Sequence, residues 1–238
     1  MKMATRTIAM MLSTALSALA GQLATTEDVV ARLLEQDQVR QSQMGEYSVM
    51  CRYRLDNKSR HAEMLVHWTR RADGVKQYEI ISESGDGGVR GHVFHKLLDA
   101  EVDASKPAQR DRTRITPDNY VFRLVGEETV RGRTAYVLEV EPKIPAKYLT
   151  RGRIWVDACD YAVVQMEGAP SHNPSFWTKK VDFVQTFEKN GPLWLVSSNH
   201  SVTDARLFGL ADLTLDYFDY EIPRSAPNPA VEIASRQR

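Results

Sequence analysis

The sequence predicts a mainly β, α+β fold: a strongly curved antiparallel barrel or half-barrel with helices packed against its opening. Three observations carry this. Segments of alternating apolar and polar residues recur without βαβ alternation and give about nine or ten strands. Turns at Asp73-Gly74, Arg131-Gly132-Arg133 and Asn190-Gly191 join most of them to their sequence neighbours. Val121, Val125, Val163, Val184 and Phe218 are apolar residues at the otherwise polar parity. A sheet with oily groups on both faces needs cover on both, or leaves one face for a ligand.

The elements follow in order. MKMATRTIAMMLSTALSALAGQ has a basic start, an apolar run from Ile8 to Ala20 and the small-x-small ending Ala18-Leu19-Ala20. This is the pattern of a cleaved secretory signal peptide over residues 1–20. The run is shorter than the roughly 20 residues a membrane span takes; an uncleaved anchor is the competing reading. No cysteine follows it, which argues against a lipid-modified N-terminus. A first helix covers Thr25 to about Gln43, with Thr25 or Thr26 as cap, Glu27 and Asp28 in the positive first turn, and Val29, Val30, Leu33 and Leu34 at helical spacing. Strands follow in GEYSVMCRYRL, HAEMLVHWTRR and VKQYEIISES. After Gly85-Asp86-Gly87-Gly88 the pattern changes to a second helix, His92 to Ser105, with Val93, Leu97 and Val102 leading its apolar stripe and Pro107 ending it. QRDRTRITPD reads as a polar loop. The second β section runs through NYVFRLVGEETV, TAYVLEVEP, the hairpin GRIWVDACDYAVVQMEG, FWTKKVDFVQTFEK, PLWLVSSNHSV and ADLTLDYFDYEI. Residues 21–222 thus form the folded domain, and the proline-dotted segment 223–238 reads as a flexible tail.

Composition excludes more than it suggests. Lys+Arg and Asp+Glu both total 31, so the chain carries no net charge; without Lys2 and Arg6 the balance becomes 29 to 31. Nothing here favours nucleic acid or an anionic membrane surface. Export to an oxidising compartment permits a Cys51–Cys159 disulfide. Two unpaired thiols, Cys51 buried on a strand and Cys159 near a turn, are the expected state, with the bridge as the alternative. Their separation excludes a CxxC redox site, and two thiols alone build no zinc site.

Tyr136 to Lys143 is a strand ending in Pro-Lys. Ile154-Trp155-Val156-Asp157 is a "hydrophobic, Trp or Phe, hydrophobic, Asp" entry to a turn, and Val163 to Glu167 its return strand. On these segments the chain, from about Thr25 to Ile222, resembles the LolA/LolB-like periplasmic carriers, the outer-membrane lipoprotein-sorting superfamily that includes RseB-like sensors. The resemblance implies an incomplete antiparallel barrel with a helical lid over an apolar cavity that takes acyl chains. It also implies a periplasmic location; with no catalytic constellation in the sequence, the expectation is a non-enzymatic protein without a cofactor. For the family's lid-latching arginine the candidates are Arg52, Arg54 and Arg70. The expected function is a carrier for a lipid or lipoprotein acyl chain in outer-membrane biogenesis or envelope lipid handling. The alternative is an RseB-like sensor or scaffold whose sheet binds an envelope or inner-membrane protein.

An acyl chain gains about 0.8 kcal/mol per buried CH2 and needs only a dry concavity. Met and aromatic side chains suit its wall. Apolar parity and aromatic content nominate Trp68, Tyr78, Phe122, Met166, Phe183 and Leu195, with Val93 on the lid helix; ordinary core packing is the plain reading of each. Residue patterns for chemistry are thin. His61 and His67 lie about 20 Å apart along one strand. His92 and His95 lack an obvious third ligand. Gly85 to Gly88 lacks the Walker spacing and reads as a hinge before the lid helix. Asp157 and Asp160 flank a turn, where aspartate serves the backbone. Arg110, Arg112 and Arg114 read as a solvated loop, with partner docking as the alternative. No GxSxG elbow is present.

Overall fold

The computed structural model describes residues 24–172, 178–205 and 209–223. The leader, all but the first residue of the tail, and Phe176 and Trp177 lie outside the described residues. Helix α1 (Thr26–Gln43) precedes strands β1 (Tyr47–Asn57), β2 (His61–Arg70) and β3 (Lys76–Gly85). Helix α2 is continuous through Gly87–Val89, a π-helical turn at Arg90–Phe94, and His95–Ser105; α3 is Pro107–Thr113. The remaining strands are β4 (Tyr120–Val130), β5 (Arg133–Pro142), β6 (Thr150–Asp157), β7 (Val163–Pro170), β8 (Thr178–Asn190), β9 (Leu193–Ala205) and β10 (Gly209–Glu221).

All ten strands belong to one sheet in the order β3-β2-β1-β10-β9-β8-β7-β6-β5-β4. Every pairing is antiparallel. A three-strand meander and a seven-strand meander are therefore joined along β1 and β10. The sheet ends at β3 and β4, which do not pair with each other, so the half-barrel stays open. Bulges interrupt the register on β1–β10, β2–β3, β4–β5, β6–β7 and β8–β9, and each bulge adds local twist.

A row of cross-strand partners defines the inner face: Phe122, Val140, Gly152, Gly168, Phe183, Ser201, Leu213, Leu55, Ala62 and Gly85, one from each strand. Both long helices pack on this face. Helix α1 begins with a capping box: the Thr25 hydroxyl accepts from the Asp28 amide, and the Asp28 carboxylate accepts from the Thr25 amide. Val29, Val30 and Leu33 bury against Tyr120, Leu138, Ile154 and Val156. The Thr26 hydroxyl accepts from the Leu124 amide on edge strand β4 at 3.0 Å. At the other end Arg40 donates to the carbonyls of Asp160 and Tyr161 at 3.0 and 2.8 Å. So α1 lies across β4–β7.

Helix α2 covers the opposite half, with Val89, Phe94 and Leu98 on Cys51, Tyr53, Met64 and Val66. Its start differs from the expected His92: Asp86 caps it, its carboxylate accepting from the Val89 amide at 2.8 Å, so the glycine-rich segment is a helix entry. The buried stripe differs too. Val89 and Phe94 are five residues apart, a spacing that the i→i+5 turn at Arg90–Phe94 brings onto one side, while Val93, Leu97 and Val102 pack partly buried around them. The expected loop after Pro107 is helix α3 instead. Proline serves there as its first residue, where a missing N–H costs nothing.

Candidate functional site

The two helices leave a strip of the inner face between them. Cys51, Tyr53, Met64 and Val66 are closed over by α2, and Leu138, Ile154 and Val156 by α1. Among the described residues, none from β8 or β9 belongs to either helix-covered cluster. The strip is therefore built on these strands and their neighbours. Val181, Phe183 and Gln185 stand on β8 opposite Thr203, Ser201 and Asn199 on β9, which stand opposite Ala211, Leu213 and Leu215 on β10, where the strip meets the α2 cluster on which those three pack. Met166 and Gly168 border it on β7, opposite Gln185 and Phe183.

Two glycines shape the border. Gly152 and Gly168 are direct partners on β6 and β7. A Cβ at Gly168 would lie 2.1 Å from the Arg151 carbonyl oxygen, and one at Gly152 2.0 Å from that of Glu167. Only glycine lets the two backbones approach so closely, and the absence of side chains leaves Phe183 bordered by open backbone. The strip is less oily than expected. The Asn199 amide donates to the Gln185 amide oxygen at 3.1 Å, and Ser201 and Thr203 add hydroxyls.

The nominated lining residues separate into four placements. Trp68 is buried under α2, with Tyr78 edge-on at 5.4 Å, and Val93 packs on the same cluster. Phe122 and Met166 pack on the α1 cluster. Phe183 stands half-buried on β8 outside both clusters, and Leu195 is buried. Met166 and Phe183 are the pair that the strip brings near each other. Residue reasoning missed Gly152, Gly168, Gln185 and Asn199; a lone glycine inside a strand pattern was the available signal for the first two.

The chemistry nominated elsewhere is structural. Asp157 is 1% exposed and accepts from Arg133 Nε and Nη2 at 2.5 and 2.9 Å. It also accepts from the amides of Cys159 and Asp160 at 2.9 and 2.7 Å. Burial pushes its carboxyl up, but Arg133 and the two amides outweigh this and hold it below the usual range. Asp160 accepts from Lys189 at 2.7 Å and from the Trp194 indole at 3.1 Å, so the pair ties three hairpin ends together. Cys51 and Cys159 are free thiols rather than a disulfide, the first buried and the second exposed. Burial raises the Cys51 thiol well above its usual range. Beneath α2, Lys76 at the start of β3 pairs with Glu101 of the helix. Of the three latch candidates, Arg52 pairs with Glu63 and Arg54 with Asp216, while Arg70 donates to the carbonyls of Met44 and Gly45.

Among the described residues no three His, Cys, Asp or Glu side chains are grouped to hold a metal, and no helix is long and apolar enough to cross a membrane. A cleft of about 640 Å3 lies along β4–β8. Most of its lining, including Val121, Arg123, Glu139, Arg151, Arg153 and Asp182, has the outer-face parity. Glu139 there pairs with both Arg123 and Arg153.

The class defined by these features is an open antiparallel half-barrel with two helices on its inner face and, between them, a strip on β8 and β9 that belongs to neither helix-packed cluster. No family model matches the chain, and no curated protein does. Solved structures do resemble it. A DUF1329 family protein from Desulfovibrio piger is 14% identical, with a TM-score of 0.45 over 89% of this chain and 98% of that one. An outer membrane lipoprotein-sorting protein domain from Vibrio parahaemolyticus is 12% identical, with a TM-score of 0.41 over 86% and 98%. A LolA superfamily protein from Nitrosomonas europaea is 12% identical, with a TM-score of 0.38 over 86% and 96%. Likeness at this level carries no functional argument, which rests on the chain's own residues.

Proposed function

We propose that this protein is a non-enzymatic periplasmic carrier of a lipid or lipoprotein acyl chain, held on the inner-face strip between α1 and α2. The observation that supports this reading is the half-buried row Gly152–Gly168–Phe183, which runs on to the buried Ser201 and lies between the two helix-packed apolar cores. A hydrocarbon laid along it meets Phe183, Val181, Met166 and bare glycine backbone, and each methylene removed from water contributes about 0.8 kcal/mol. No covalent step is required of the protein. Asp157 and Asp160, the paired carboxylates nearest to a catalytic pattern, have their oxygens engaged by Arg133, Lys189, Trp194 and backbone amides.

Native mass spectrometry after gentle purification, together with uptake of a fluorescent fatty acid, tests the reading. Bound lipid, and uptake abolished by Phe183→Asp in a variant that keeps its thermal midpoint, is the expected result. A protein that carries no lipid and takes up no probe overturns it; capture of a protein through the strip under the same conditions would favour the sensor reading.

A further inference from the structure

We infer that the strip selects acyl ligands whose head is an uncharged ester or amide over those whose head is ionised. This deepens the carrier reading and rests on it. The nine inward positions Val181, Phe183, Gln185, Asn199, Ser201, Thr203, Ala211, Leu213 and Leu215 carry no ionisable group. The outward positions between and next to them include Asp182, His200, Asp204, Asp212 and Asp216, so charge is sorted to the other side of the same strands. Among the described side chains of these rows an anionic head would find no cation beside it, and an ion moved out of water without a partner is strongly disfavoured.

The strip does offer neutral hydrogen bonding. The contact from Asn199 Nδ2 to Gln185 Oε1 fixes the two amides and leaves the Gln185 NH2 group without a protein partner among the described residues. An amide NH2 supplies two donors, the complement of an ester or amide carbonyl and of no cation. Position matches this role. Gln185 and Asn199 lie in the cross-strand row containing Met166 and Leu215, one step along the strands from the row containing Phe183. A hydrocarbon on Phe183 and Val181 therefore puts the first polar atoms of its head beside the Gln185 amide.

The test uses the full chain and three fluorescent probes of one acyl length, ending in a monoacylglycerol ester, a phosphate monoester or a plain alkane. The ester probe is expected to bind at least about tenfold more tightly than the phosphate probe. Gln185→Leu combined with Asn199→Leu is expected to bring the ester probe to the level of the alkane, whose binding stays unchanged. Gln185→Lys, which adds one cation and needs no repacking, is expected to reverse the order of ester and phosphate. Equal or tighter binding of phosphate by the wild type overturns the inference while leaving the carrier reading intact. Failure of all three probes, the alkane included, overturns both.

Discussion

Alanine at Gly168 should destabilise the protein by about 3 kcal/mol. Its Cβ would lie 2.1 Å from the Arg151 carbonyl oxygen and 3.2 Å from the Gly152 Cα. Ordinary carbon–oxygen contacts begin near about 3.3 Å, so the overlap exceeds an ångström and falls on backbone, which no side-chain rotation relieves. Overpacking of a closed site costs about 1–3 kcal/mol, and the upper end applies because β6 and β7 must part. Gly152→Ala should cost about 1 kcal/mol more, because it adds a φ of +152° to a Cβ 2.0 Å from the Glu167 oxygen. Gly91→Ala is the control: it lies within α2 with open space around it, and alanine there should stabilise by about 0.5 kcal/mol. Urea unfolding followed by tryptophan fluorescence reads all three. A Gly168→Ala midpoint indistinguishable from wild type would refute the close approach of β6 and β7, and with it the shape of the strip.

Phe94 is fully buried on Tyr53, at a ring distance of 5.8 Å; Phe94→Ala should cost about 4 kcal/mol in the same assay, and under 1 kcal/mol would mean that α2 is not seated as described. Asp157→Asn should cost about 2–3 kcal/mol at pH 7. Because the folded-state carboxyl sits below its usual range, its stabilisation is present above about pH 4 and fades as pH falls. The gap between wild type and variant should therefore narrow below that pH, and a gap constant down to pH 3 contradicts the assignment. Thiol titration should find one reactive group in the native protein, Cys159, and two after denaturation; no free thiol in denatured, unreduced protein would establish a bridge instead.

Strand and helix placement was largely legible because alternation and capping are local. Thr25 and Asp28 announce α1, and Tyr47, Val49, Cys51, Tyr53 and Leu55 announce β1 in a period of two. Helix α3 was not legible, since PAQRDRT has no apolar stripe and its helix forms at a proline start. The burial of Phe94 in place of Val93 depends on a π-helical turn, and regular periodicity has no term for one. Val163 looked like an apolar residue on the polar side. A bulge opposite Val156 lets it pack on the α1 cluster while Val164 packs beside Trp155 on another. The strip was the hardest feature to read. Which of Phe183, Val184 and Gln185 faces inward depends on a register carried across ten strands, and no single hairpin reveals it.

Amide NMR of the protein with a spin-labelled fatty acid tests the central claim most directly. Broadening confined to Val181, Phe183, Gln185, Asn199, Ser201 and Leu213 is the predicted result. Broadening centred on Val121 and Arg151 in the outer cleft, or none at any amide, would contradict it.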